Sequence, residues 1–169
     1  MKNQMIALMA LAMLAGCNRS PAVGGAAGEA SAQTQAANAA FAKALPLDDP
    51  QDFDDAKHGL IAKASGKITA ADGTVLADLD ALSFVSGPAP ATVNPSLWRH
   101  AQLNGQIGLF EVTPGIHQLR GFDISNMTLI DGQSGWIVVD PLTSTESASK
   151  AIAFAREHLG NKAISAVLF

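Results

Sequence analysis

Residues 135–169, GWIVVDPLTSTESASKAIAFAREHLGNKAISAVLF, decide the fold. Trp136-Ile137-Val138-Val139 is continuous and apolar, the composition of a strand buried on both faces. Asp140-Pro141 stops it, because proline has no N–H to give a ladder. Ser144 or Thr145 can then cap a helix, with Glu146 near its positive end. Ala148, Ala151, Ile152, Ala155 and Leu159 recur at helical spacing and would face the sheet, so the helix runs to about Leu159 and closes at Gly160. Ile164 to Phe169 reads as the next strand. Strand, helix and strand at this length predict a crossover and therefore a parallel pair.

Working outward, the upstream pattern is of short strands joined by turns. Leu109-Phe110-Glu111-Val112 alternates, Thr113-Pro114-Gly115 turns, and Ile116 to Leu119 returns. Met127 to Ile130 follows, with Asp131-Gly132 as the turn into Trp136. Lys67-Ile68-Thr69 and Thr74-Val75-Leu76 flank Ala71-Asp72-Gly73, a hairpin signal. Asn94-Pro95-Ser96 starts a short helix through Trp98 and Leu103, after a loop with Pro88 and Pro90. Asp52-Phe53-Asp54-Asp55-Ala56, acidic in front with Lys57 and His58 behind, reads as a helix leading into Leu60-Ile61. The fold class is α/β, with a mixed sheet of α+β character.

Composition bounds the function. In 169 residues, 48% are hydrophobic and 15% charged, enough apolar content for a core. Net charge is −4 and no basic block occurs, which argues against nucleic acid as a partner. The single cysteine rules out an internal disulfide framework and any zinc site built from several thiolates.

That cysteine has a context. Lys2 precedes an apolar run from Met5 to Ala15, too short for a hydrocarbon core of ~30 Å and suited to a signal peptide. Leu14-Ala15-Gly16-Cys17 resembles the lipobox of bacterial lipoproteins, which implies a diacylglycerol on Cys17 and cleavage before it. Residues 1–16 are then a lipoprotein signal peptide and 17–45 an Ala/Gly-rich tether, with a short helix near Ala36 to Ala44 ended by Pro46. The expected location is the envelope of a Gram-negative cell, lipid-anchored and facing the periplasm. Asn18 after the cysteine favours the outer membrane.

Chemistry-bearing residues are sparse. His58, His100, His117 and His158 form no i, i+2 or i, i+4 pair. Ser134 between glycines precedes a strand, so it is a turn and not a nucleophile elbow. Gly105 and Gly108 have the wrong flanks for a phosphate loop. Arg99 and Arg120 are either anion binders or paired surface residues. Asp49, Asp52, Asp54 and Asp55 are either a calcium cluster or a solvated helix start. Asp123 caps or turns the chain.

Three ordered blocks carry a family resemblance: Thr92-Val93-Asn94-Pro95-Ser96-Leu97-Trp98-Arg99 with Ala101 to Asn104; Gly108 to Val112 with Gln118-Leu119-Arg120-Gly121-Phe122-Asp123-Ile124-Ser125-Asn126-Met127-Thr128; and Gly135 to Ser144. Together they resemble the N-terminal part of alkyl sulfatases of the metallo-β-lactamase superfamily. His117 stands where that family tends to carry Tyr, and Ala77 where it favours Trp.

The resemblance implies an αββα sandwich, incomplete in this chain. Residues 46–105 would be a family-specific extension, and 106–169 the first strands and crossover helix of the metallo-β-lactamase-like domain. It implies two zinc ions held by a Thr-His-x-His-x-Asp-His signature expected after Phe169, so that this chain has no catalytic residues or metal ligands of its own and is inactive alone. Asp140 matches the superfamily aspartate that supports the zinc loop by hydrogen bonding; read from the residues alone, it equally well just stops a strand before Pro141. The implied reaction turns an alkyl sulfate of the dodecyl sulfate type into alcohol and sulfate, on a hydroxide made by zinc, in a homodimer when full length. Two other readings stay open: a non-catalytic, tethered binding or scaffold lipoprotein, and another hydrolase of the metallo-β-lactamase fold.

Overall fold

The computed structural model describes residues 28–169. The signal peptide, Cys17 and the start of the tether lie outside the described residues.

The first described helix, α1 (Ala32–Ala44), is capped by Ser31, whose Oγ accepts from Thr34 N at 3.2 Å. It starts at Ala32 rather than near Ala36, so more of the expected spacer is folded than its composition implies. The reason is a non-local contact. Asn38 Nδ2 donates to the carbonyls of Ala91 (3.0 Å) and Val93 (3.1 Å), docking a helix with little apolar surface onto the loop that follows the hairpin.

Helix α2 (Gln51–Lys57) carries the acidic cluster at its start. Leu60 and Ile61 do not continue it. Gly59, at φ 72°, turns the chain into strand β1 (Leu60–Lys63), a conformation that costs glycine little. The hairpin forms where the sequence places it, as β2 (Lys67–Thr69) and β3 (Val75–Asp78), antiparallel to each other. Asn94 caps α3 (Pro95–Asn104), accepting from Ser96 N at 2.9 Å.

The main sheet has six strands in the order β1, β4 (Gly108–Thr113), β5 (Ile116–Arg120), β6 (Met127–Asp131), β7 (Trp136–Val139), β8 (Ile164–Leu168). Every neighbouring pair is antiparallel except β7 with β8. Helix α4 (Thr145–Leu159) makes the crossover between those two, capped by Ser144 through a 3.0 Å bond from Ser147 N. Strand β1, from the stretch before residue 106, is an edge of this same sheet.

One face of the sheet is covered by α4. Leu119, Met127, Leu129, Trp136 and Val138 are buried there with Phe122, Ala151, Ile152 and Ala155. Each large side chain removed from water in this way contributes roughly 1.5–3 kcal/mol before entropy is counted. Residues of β7 alternate, with Trp136 and Val138 buried and Ile137 and Val139 only half-buried. The expectation that β7 is buried on both faces is therefore corrected: α4 lies over one face, and Ile137 and Val139 point to the other. All of β8 is exposed.

Candidate functional site at the carboxyl ends of the parallel strands

Because β5 and β6 are antiparallel, as are β6 and β7, strands β5, β7 and β8 run in one direction. Their carboxyl ends meet at one end of the sheet, where α/β proteins place their chemistry. Two loops lie there: residues 121–126 after β5, and 140–144 after β7.

The second loop is strained. Asp140 sits at φ 55° and Leu142 at φ 69°, on either side of Pro141. Two non-glycine residues in the left-handed region within three positions cost energy that surrounding bonds must offset. Asp140 N donates to Leu168 O at 2.9 Å, extending the parallel ladder by one rung. Its Oδ1 accepts from Leu142 N and from Ser125 Oγ, both at 3.2 Å. One carboxylate thus folds its own loop and holds the neighbouring one.

The neighbouring loop reciprocates. Asp123 Oδ2 accepts from Thr143 Oγ1 at 2.6 Å and Thr143 N at 3.0 Å, while Oδ1 accepts from Ile124 N at 2.7 Å. Partial burial pushes the Asp123 carboxyl up, but the Thr143, Ile124 and Ser147 donors outweigh it and hold it below the ordinary aspartate value. The sequence reading of Asp123 as a cap or turn residue missed this brace, since Thr143 is twenty residues away.

The stretch from Arg120 to Phe169, which contains both loops and the crossover, matches the family described as the metallo-beta-lactamase superfamily over residues 120–169. An (R)-specific secondary-alkylsulfatase from Pseudomonas sp. is 48% identical over 141 residues.

Over four-fifths of its length, this chain is similar to alkylsulfatases.

That alkylsulfatase match covers 83% of this chain and 21% of the relative. A linear primary-alkylsulfatase from Pseudomonas sp. is 42% identical over 80% of this chain and 21% of its own length. An alkyl/aryl-sulfatase from Saccharomyces cerevisiae is 41% identical over 83% of the chain and 22% of its own. The solved structure of a stereoselective inverting sec-alkylsulfatase from Pseudomonas sp. superposes with a TM-score of 0.78 at 49% identity, covering 82% of this chain and 22% of that one. The chain therefore spans about a fifth of the length of the alkylsulfatases it matches.

The other candidate residues separate cleanly. Arg99 is committed: it pairs with Asp52 (2.6 Å), donates to the carbonyls of Asp49 and Leu47, and lies 5.0 Å from the Phe53 ring centroid. Asp49 accepts from Gln51 N and Asp55 from Gln51 Nε2, so the acidic cluster serves the start of α2. Ser134 lies in the exposed turn before β7. Among the described residues, no group of three or more His, Cys, Asp or Glu side chains could hold a metal ion. These residues do not fit a metal centre by themselves, and Asp140, whose bonds go to Leu142 and Ser125, acts on loop shape.

Proposed function

We propose that the protein to which these residues belong hydrolyses alkyl sulfate esters to alcohol and sulfate, and that this segment frames the reaction without carrying it out. The observation that supports this reading is the braced, strained loop Asp140–Ser144 at the carboxyl end of β7, beside the end of β8, within a chain that resembles alkylsulfatases over four-fifths of its length. Asp140 and Asp123 fix the geometry of that sheet end. The catalytic metal, zinc in our reading, takes its ligands from residues outside the 169, and no step of the reaction is assigned to a side chain described above. Alkyl sulfate esters of the dodecyl sulfate type are the proposed substrates. We further propose lipid attachment at Cys17, residence in a Gram-negative envelope facing the periplasm, and a homodimer as the full-length form.

The test is sulfate release, followed by ion chromatography, from dodecyl sulfate and from secondary octyl sulfates. The product of the gene read beyond Phe169 should release sulfate in a chelator-sensitive way, and the 169-residue chain should release none. Absence of release by the longer product would sink the hydrolase reading and leave a tethered binding module. Release by the 169-residue chain would show that the segment carries its own catalytic groups.

A further inference from the structure

Helix α1 is fastened to the rest of the fold chiefly through one side chain. None of its 13 residues is buried, and its one large apolar side chain, Phe41, is half exposed. A helix of that length is marginal in water by itself, so docking must hold it. Among the described residues, Asn38 makes the only side-chain hydrogen bonds from α1 to a distant part of the chain, donating from Nδ2 to Ala91 O at 3.0 Å and Val93 O at 3.1 Å. The other side-chain bonds of the helix are local, from Gln35 Nε2 to Ala30 O and between Thr34 and the Ser31 cap.

Packing beneath the helix is incomplete. A cavity of about 320 Å³ separates Asn38, Ala39 and Ala42 on the helix from Pro90, Val93 and Pro95 on the loop. The alanine methyls are too short to fill it, so this contact gains little dispersion energy.

The ends of α1 suit it to leave as a unit. The Ser31 cap bonds only within the helix and travels with it. At the other end Leu45 is already extended, at φ −118° and ψ 145°, and Pro46 has no N–H to tie it down. Just beyond, Arg99 holds the carbonyls of Leu47 at 3.2 Å and Asp49 at 2.7 Å. A segment held by neutral bonds thus meets one held by a cation, with Leu45-Pro46 between them.

We infer that α1 is a latched strap: Asn38 holds it on the 89–95 loop, and opening that latch frees the helix as a unit while the rest of the fold stays intact. Release moves the point where the chain leaves the folded part from Ser31 to Pro46, a helix length of about 20 Å. The latch goes beyond the proposed hydrolysis, and it needs neither a metal nor a lipid on Cys17.

The experiment is amide hydrogen exchange of the 169-residue chain, followed by mass spectrometry, comparing residues 32–44 with β5 and β6. In wild type the α1 amides should exchange roughly a hundredfold faster than those of β5 and β6, yet more slowly than an unstructured chain. Asn38→Ala should speed α1 exchange by about tenfold, with β5, β6 and the thermal midpoint unchanged. Alanine is the better helix former, so faster exchange in this variant reports lost docking and not a weaker helix. Ala42→Leu, which reaches into the cavity and keeps Asn38, should slow α1 exchange about threefold or more. Wild-type α1 exchanging at the rate of β5 and β6, or at the unstructured rate, overturns the inference. So does Asn38→Ala that leaves α1 unchanged or loosens β5 and β6 as well. Unchanged or faster exchange in Ala42→Leu overturns the part given to the cavity. Sulfate release has no part in this readout, so the strap and the proposed hydrolysis stand or fall separately.

Discussion

Asp123 and Thr143 are joined by two hydrogen bonds, 2.6 Å from the threonine hydroxyl and 3.0 Å from its backbone N–H, and they tie the loop after β5 to the loop after β7. With the Ser125 to Asp140 bond at 3.2 Å, they close a cross-brace around the two left-handed residues of the second loop. The brace is what allows the chain to turn from β7 into α4 through a strained conformation.

Breaking it should be measurable. Asp123→Asn turns one acceptor into a donor facing another donor, and should cost about 1 kcal/mol, less than is usual for hydrogen bonds to a charged group because the site is partly exposed. Thr143→Val should cost less, since the backbone bond remains. A double-mutant cycle by urea denaturation should give a coupling of roughly 0.5–1.5 kcal/mol. Additive losses would mean that the two residues act independently.

The same carboxylate sets a pH dependence, together with Asp131. Asp131 is held low chiefly by the Lys162 ammonium at 2.7 Å, against the opposing push of burial, with Trp136 Nε1 at 2.9 Å adding to the effect. Both folded values lie below the unfolded value of about 3.9, so both groups stabilise the fold above that pH. The contribution should be lost as pH falls through the folded values. Thermal midpoints should therefore be flat from pH 7 to about 5 and drop below about 4, less steeply in Asp131→Asn. An identical acid limb in that variant would discount the Lys162 contact.

Gly59 makes the entry into β1. An added Cβ would overlap the Glu111 carbonyl oxygen, and φ 72° disfavours a side chain in any case. Glu111 N donates to Gly59 O at 2.7 Å, so the two strands have no room to part. Gly59→Ala should destabilise by at least ~2 kcal/mol. Amide exchange should show the loss concentrated in β1 and its partner β4.

His117 is buried on β5, and its Nδ1 has no hydrogen-bond partner among the described residues. A buried polar atom left unpaired costs free energy that an apolar ring avoids. His117→Phe should be neutral or stabilise by up to about 1 kcal/mol, read from denaturant midpoints. Clear destabilisation would show that the imidazole finds a partner in solution.

Local chemistry determined much of this protein. The β7–α4–β8 crossover, the caps at Ser144 and Asn94, and the β2–β3 hairpin each depend on residues within a few positions of one another, so propensity and turn chemistry suffice to place them. The ordered blocks from Thr92 to Ser144 likewise carried the resemblance to alkylsulfatases. The tertiary structure decided the rest. It put Leu60 and Ile61 on an edge strand beside β4 instead of extending a helix, docked α1 through Asn38, left one face of β7 half-buried, and brought Asp123 to Thr143. It also separated two arginines that look alike in the sequence, pairing Arg99 with an aspartate and leaving Arg120 stacked over Phe110 beside a cavity. These outcomes rest on contacts between residues far apart along the chain. Sheet pairing and helix packing create such contacts by bringing distant groups into reach, and no pattern confined to neighbouring residues encodes which of them will meet.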